Sequence, residues 1–217
     1  MNKIFICVSI LLISSIHSQY INGIDVSHHQ GEIDWYDAVD EITFAIIRIG
    51  QGTRIIDKQF ENNYKGAKEA GVELGAYLYC DSKDSAGAEK EAYQVINLLK
   101  EKKFEWPIYY DIEGDALSGD VNEMATTFCS ILQENNYFCG IYSSAYPLSN
   151  QFSQEVLSSY AIWVANYDVD QPHFDGEWGI WQYTSSGSVK GINGNVDMDY
   201  ATINYADIII SKGFNGY

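Results

Sequence analysis

Positive charge is scarce in this chain. Thirteen lysines and arginines stand against 30 aspartates and glutamates in 217 residues, a formal charge of −17. Such a surface repels nucleic acid and anionic membranes, so neither is expected as a partner. Cysteine is also sparse, at Cys7, Cys80, Cys129 and Cys139, and no C-x-x-C pair occurs. There are four histidines and no H-E-x-x-H. Cysteine-ligated zinc and a secreted zinc amidase therefore lack their ligand patterns, and no metal or cofactor is expected. The N-x-Ser/Thr acceptor is missing, so no N-glycan is expected. No linker, repeat or low-complexity tract interrupts the chain. The one long apolar run, from Ile4 to Ile13, falls short of the ~20 residues of a spanning helix. With Lys3 before it and Ser14, Ser15 and Ser18 after it, it reads as a secretory signal peptide over residues 1–18. The remaining 19–217 suit one domain with a sizeable core, and losing Lys3 takes the formal charge to −18.

Aromatic residues are plentiful: 17 Tyr, 5 Trp and 9 Phe. Sugar-binding clefts use such rings as platforms, and so do cores. Short apolar runs alternate with helical patterns. Strands are expected at 21–27, 43–50, 72–79, 107–114, 138–142, 161–165, 179–183 and 194–199. Helices are expected at 34–40, 57–70, 85–102, 120–136 and 154–159. Gly71 suits the residue after a helix end, and Ala88, Ala92, Val95, Ile96 and Leu99 form one helical face. Asp120, with Glu123 three residues on, reads as a capping box. Alternating strands and helices imply parallel βα units. Eight strands suggest an irregular, TIM-like β/α barrel whose last three strands are poorly separated by helices. Active sites of such barrels lie at the C-terminal ends of strands. Asp25, Tyr79, Asp111, Glu113, Tyr142 and Asp197 fall at or near those ends.

The fourth strand carries the sharpest signal, Pro107-Ile-Tyr-Tyr-Asp111-Ile-Glu113-Gly114. Residues two apart in a strand share a face, with Cα atoms roughly 6.7 Å apart. Two carboxylates that can flank one bond are what glycoside hydrolysis requires. Like charges crowded into one cleft raise one another's pKa values, which keeps a general acid protonated at working pH. His28 and His29 follow the first strand, where they could touch a substrate or simply pack the loop.

Several segments, in order over about 21–200, carry a resemblance. They are Gly23-Ile-Asp25-Val-Ser27 with Gln30-Gly31, Phe44-Ala-Ile-Ile-Arg48, Gly75-Ala-Tyr77, Asp111-Ile-Glu113, Gly140-Ile-Tyr142-Ser143, Trp163-Val-Ala-Asn-Tyr167, Trp181-Gln-Tyr-Thr184 and Val196-Asp-Met-Asp199. The chain resembles the Chalaropsis-type lysozymes, glycoside hydrolase family 25. That resemblance implies hydrolysis, with retention, of the β-1,4 bond between N-acetylmuramic acid and N-acetylglucosamine in bacterial peptidoglycan. It implies Glu113 as general acid/base and Asp111 as partner of the 2-acetamido group or of an oxazolinium-like intermediate. Asp25 and Asp197 complete the acidic cluster. Tyr79, Tyr142, Trp163, Tyr167, Trp181 and Gln182 are the implied sugar contacts. A chitinase of related barrel type would need Asp-x-x-Asp-x-Asp-x-Glu, and its inner Asp falls here on Tyr109. A non-catalytic carbohydrate-binding barrel would typically have lost the acid, which Glu113 retains.

Three cysteines remain after signal removal, which allows one disulfide. Cys129 lies in the helix after the acidic strand and Cys139 opens the next strand, so a Cys129–Cys139 bridge is expected, with Cys80 free at the barrel's other end. A monomer is expected, secreted or held in the lumen of an acidic vesicle or phagosome. The negative charge predicts an acidic working pH on an anionic wall.

Overall fold

The computed structural model describes residues 20–217. The expected signal peptide lies outside the described residues. In chain order the elements are β1 (Ile21–Val26), α1 (Trp35–Ala38), β2 (Phe44–Gln51), β3 (Ile55–Ile56), α2 (Phe60–Ala70), β4 (Glu73–Tyr79), α3 (Ser85–Leu99) and β5 (Ile108–Asp111). Then come α4 (Val121–Glu134), β6 (Cys139–Ser144), α5 (Ala145–Asn150), α6 (Gln154–Ser159), β7 (Ala161–Ala165), β8 (Ile180–Gly187), β9 (Val196–Ala201) and α7 (Tyr205–Lys212). Two 3-10 turns, His28–Gln30 and Gly114–Ser118, follow β1 and β5.

Eight strands close a barrel in the order β1-β9-β8-β7-β6-β5-β4-β2, with β1 pairing back onto β2. The short β3 lies outside this ring, as a hairpin on the end of β2. Seven barrel strands run parallel, but β9 is antiparallel to both β1 and β8. The parallel βα units implied by the sequence are present, and β9 is the strand that departs from them. The link from β8 to β9 is too short for the helical crossover a parallel pair requires, so the chain turns straight back. It also changes how Asp197 reaches the mouth. Asp197 stands near the start of β9, and the reversed strand direction brings that start to the same rim as the other strands' C-terminal ends.

Strand alternation sorts the side chains cleanly. Phe44 and Ile46 of β2, Tyr109 of β5 and Trp163 of β7 belong to an interior cluster. Their neighbours Ala45, Ile47, Tyr110 and Val164 join the outer cluster between barrel wall and helices. The interior has room for such rings only where a facing residue has no side chain: a Cβ at Gly140 would come within 2.4 Å of the Tyr109 ring. At the bottom, α7 inserts Tyr205 and Ile209 into the interior cluster, with Tyr205 set edge-on to Trp106 at 5.7 Å between ring centroids. Neither α7 nor α5 is expected from the sequence pattern.

Local signals behave largely as their chemistry dictates. Gly71 takes a left-handed φ of 84° and closes α2. Ala88, Ala92, Val95 and Leu99 form the buried face of α3. Asp120 caps α4 through the N–H groups of Asn122 and Glu123. The reciprocal arm of the expected capping box is absent, because the Glu123 carboxylate accepts from Ser85 Oγ instead. A complete box forms at Ser27 and Gln30, where it braces the turn that follows β1.

The cysteines require a correction. Cys129 and Cys139 do sit together in the core, with both sulfurs against the Gly140 carbonyl at 3.7 and 3.6 Å. They are free thiols and not the expected disulfide. Each already has an acceptor there, so the packing is satisfied without a bridge. Cys80 is also free, and follows β4 at the barrel end remote from Cys139.

Candidate active site

The strand ends surround a cleft of about 390 Å³ at the barrel mouth. Inward positions supply its walls: Asp25 from β1, Arg48 from β2, Tyr77 and Tyr79 from β4, Asp111 from the end of β5 and Glu113 just past it, Tyr142 from β6, Trp163 from β7, Gln182 from β8 and Asp197 from β9. Tyr167 closes one side from the segment after β7. All four expected acids therefore meet in one place, together with five of the six expected sugar contacts.

Trp181 is the exception. It faces the helices, is buried, and donates its indole N–H to the Asn166 carbonyl at 2.8 Å. Adjacent residues on a strand point to opposite faces, so Gln182 and Trp181 cannot both face the cleft. Trp181 orders the segment that carries Tyr167 and does not line the site.

Glu113 lies just beyond β5, still extended, with φ −145°. The alternation that sends Asp111 inward therefore continues to Glu113. Gly114 then bends the chain away through a left-handed φ of 56°, which leaves the Glu113 carboxyl at the rim. Asp111 is buried deeper, and its Oδ1 makes no hydrogen bond. A buried acceptor without a partner is costly in an ordinary core, and its place beside the cleft marks Asp111 as a residue of the site.

Opposite them, a polar chain fixes the remaining side chains. Tyr142 and Tyr167 donate their hydroxyls to Gln182 Oε1 at 2.8 and 2.5 Å. Gln182 in turn donates to Asp25 Oδ2 at 2.5 Å. Below the cleft floor, Trp163 donates its indole N–H to Asp199 Oδ1 at 2.8 Å.

Five carboxyl groups thus gather at the cleft and its floor, and among the described residues Arg48 is the one lysine or arginine that lines it. All five are pushed above their ordinary values, and burial is the leading cause each time. For Asp25, burial is followed by the charges of Asp199 and Asp197. For Asp111, the Glu113 charge adds to burial and Arg48 opposes both. Glu113 is raised by burial, again against Arg48. Burial, with the Glu113 charge, lifts Asp197 to about 6. Asp199 is raised by burial, although the Trp163 hydrogen bond pulls the other way. An acid held protonated above its usual range beside other acids is the arrangement required of a proton donor near neutral pH.

Arg48, Tyr77, Asp199 and His29 are site features to which the sequence reading gave no firm role. Arg48 shares the parity of Phe44 and Ile46, and Asp199 that of Asp197, so strand period alone could have found both. The two histidines part company: His29 lines the cleft, whereas His28 Nδ1 sits 2.7 Å from Asp57 Oδ2.

The sequence profile of the Glycosyl hydrolases family 25 matches residues 24–192. The chain belongs to glycoside hydrolase family 25. It is similar to the autolytic lysozyme of Clostridium acetobutylicum, with 27% identity over 82% of this chain and 55% of that one. It is similar also to lysozyme M1 of Streptomyces globisporus, with 28% identity over 82% of this chain and 66% of the relative. Among solved structures, the bacterial lysozyme from Streptomyces coelicolor superposes with a TM-score of 0.74 at 26% identity, covering 88% of this chain and 96% of that one. The family 25 chain described here is therefore a glycoside hydrolase of the muramidase type, built on the family's barrel with the acidic cluster at its mouth.

Proposed function

We propose that this family 25 enzyme hydrolyses the β-1,4 bond between N-acetylmuramic acid and N-acetylglucosamine in bacterial peptidoglycan, with retention of configuration. One observation carries the reading: Asp111 and Glu113 share the barrel mouth, one deep with a free oxygen and one at the rim with a raised pKa. In the first step Glu113 gives its proton to the glycosidic oxygen as the C1–O bond breaks. The carbonyl oxygen of the substrate's own 2-acetamido group bonds to C1 from the opposite face. The Asp111 carboxylate accepts the acetamido N–H and balances the charge of the oxazolinium-like intermediate. In the second step the Glu113 carboxylate takes a proton from water. The water oxygen bonds to C1 and the acetamido oxygen leaves, and two inversions give net retention. Asp25 and Asp197 keep the pocket acidic, and the Tyr142, Tyr167 and Gln182 chain holds Asp25 in place.

Digestion of purified peptidoglycan, read by mass spectrometry of the new reducing ends, tests this. Reducing N-acetylmuramic acid is expected. Reducing N-acetylglucosamine, or peptide release alone, would refute it.

The enzyme is proposed to act as a monomer outside the cell or in an acidified vesicle. No described helix is long and apolar enough to cross a membrane. The formal charge of −17 over the full sequence opposes approach to an anionic wall at neutral pH. Falling pH neutralises surface carboxylates and keeps Glu113 protonated. Lysis of intact bacteria across pH 3–8 at low and moderate salt is therefore expected to peak at about pH 4–6, with salt relieving part of the neutral-pH loss. A maximum at pH 7 or above with no salt relief would show that charge does not govern access to the wall.

A further inference from the structure

A second hollow, of about 330 Å³, adjoins the cleft. Its walls are Arg48, His28, Lys58 and the β2–β3 hairpin, including Ile55 and Ile56. Arg48 belongs to both cavities. The histidines bridge them too: His29 lines the cleft, His28 lines the hollow, and their rings lie 4.0 Å apart.

Three features of the hollow ask for an occupant. Ile55 and Ile56 are each 54% exposed side by side on a two-residue strand, although β-branched aliphatic side chains gain from burial. Arg48 and Lys58 form no ion pair within 4.0 Å among the described residues, so each can meet an anion from outside. Arg48 is oriented by its bonds to the Gly50 carbonyl and to Gln51 Oε1, which leaves part of its guanidinium fork free. Finally, the floor is already built, because Asp57 accepts both the backbone N–H and the ring Nδ1 of His28.

We infer that this hollow receives the short anionic peptide that peptidoglycan carries on the lactyl group of its muramic acid residues. The inference rests on the muramidase reading of the adjoining cleft. Methyl-bearing residues of such a peptide match the isoleucine pair, and its free carboxylates match Arg48 and Lys58. Continuity with the cleft supplies the geometry: a substituent on the sugar seated there passes Arg48 into the hollow. The overall surface is acidic, so two cations beside exposed isoleucines favour a carboxylate-bearing, partly apolar ligand.

The test compares kcat/KM on two soluble glycan oligomers, one with its peptides and one stripped of them by an amidase. The variants are Ile55→Ser/Ile56→Ser and Lys58→Ala, all at exposed positions, with thermal melting as the folding control. On the peptide-bearing glycan a loss of about ten-fold is expected for the double variant. About five-fold is expected for Lys58→Ala, fading with added salt. The stripped glycan should be cleaved equally by all three proteins. Equal losses on both glycans, or no loss on either, would overturn the inference and leave the muramidase reading standing. So would a concentration-dependent dimer that the double variant abolishes without any change in peptide selectivity, because the isoleucines would then meet a second copy of the chain. If the wild type frees no reducing muramic acid from either glycan, the muramidase reading fails and takes the inference with it.

Discussion

Replacing Glu113 by glutamine is expected to lower kcat by about 10²–10⁴-fold while leaving the fold and glycan binding intact. The side chain is half-buried at the rim and makes no capping bond to the turn it precedes, so an amide of nearly the same shape costs little structure. What the amide removes is the proton. Glutamine cannot protonate the leaving oxygen, and it cannot take a proton from water in the second step. The loss should therefore appear in kcat and not in KM, which is the pattern of an interaction made only in the transition state. A second readout separates this role from simple disruption. In the wild type the basic limb of the pH profile follows deprotonation of Glu113, whose pKa burial raises. In the variant that limb should flatten, because no donor remains to be lost. Steady-state kinetics on a defined glycan across pH, with circular dichroism as control, measures both. A well-folded variant with near wild-type kcat would remove Glu113 from the chemistry.

The strength of that expectation comes from how directly strand geometry could be read. Asp111 and Glu113 are two apart on an extended segment, and the alternation that places them together is local. The same rule sends Phe44, Ile46 and Arg48 inward on β2. It also sends Gln182 inward and Trp181 outward on β8, a distinction that the resemblance to family motifs obscured. Motif membership marks residues that matter; side-chain parity decides which of them face the cleft. Other features are not local and were not legible. The reversal of β9 follows from a missing crossover helix, and only the closed barrel reveals that it brings Asp197 up to the mouth and sets Asp199 beneath it. The His28–Asp57 contact joins residues 29 positions apart. The plug formed by α7 depends on the bottom of a barrel that no single segment describes. The cysteine expectation was half right for a similar reason. Chain reversal brings Cys129 and Cys139 together, but whether sulfurs bond is decided by their surroundings, here a shared carbonyl acceptor in a dry core.

Replacing Asp111 by asparagine should produce two opposite effects in one protein. Activity is expected to fall by about 10²–10³-fold, the usual consequence of removing one preorganised electrostatic partner. Stability at neutral pH is expected to rise. Asp111 is buried, its Oδ1 has no hydrogen-bond partner, and burial and then the neighbouring Glu113 charge raise its pKa well above the ordinary carboxyl range. The folded protein therefore binds that proton more tightly than the unfolded chain does. Its stabilising contribution is complete below the unfolded value of about 4 and is lost as pH climbs through the raised folded value. As pH climbs, the unfolded chain gives up this proton while burial makes the folded protein resist doing so, and the wild type loses stability that the uncharged amide keeps. Melting temperature at pH 7 should then exceed that of the wild type by several degrees, at roughly 2–4 °C per kcal/mol for a domain of this size. Near pH 4 the two proteins should melt together, because Asp111 is already protonated there. Thermal melts at pH 4 and 7, paired with glycan hydrolysis, decide the matter. A variant less stable than wild type at pH 7 would mean that the Asp111 charge holds the barrel mouth together. One that keeps full activity would mean that the acetamido group finds its partner elsewhere. The combination expected here, a more stable and nearly inactive enzyme, follows if the acidic cluster is maintained for its chemistry against the cost of burying its charge.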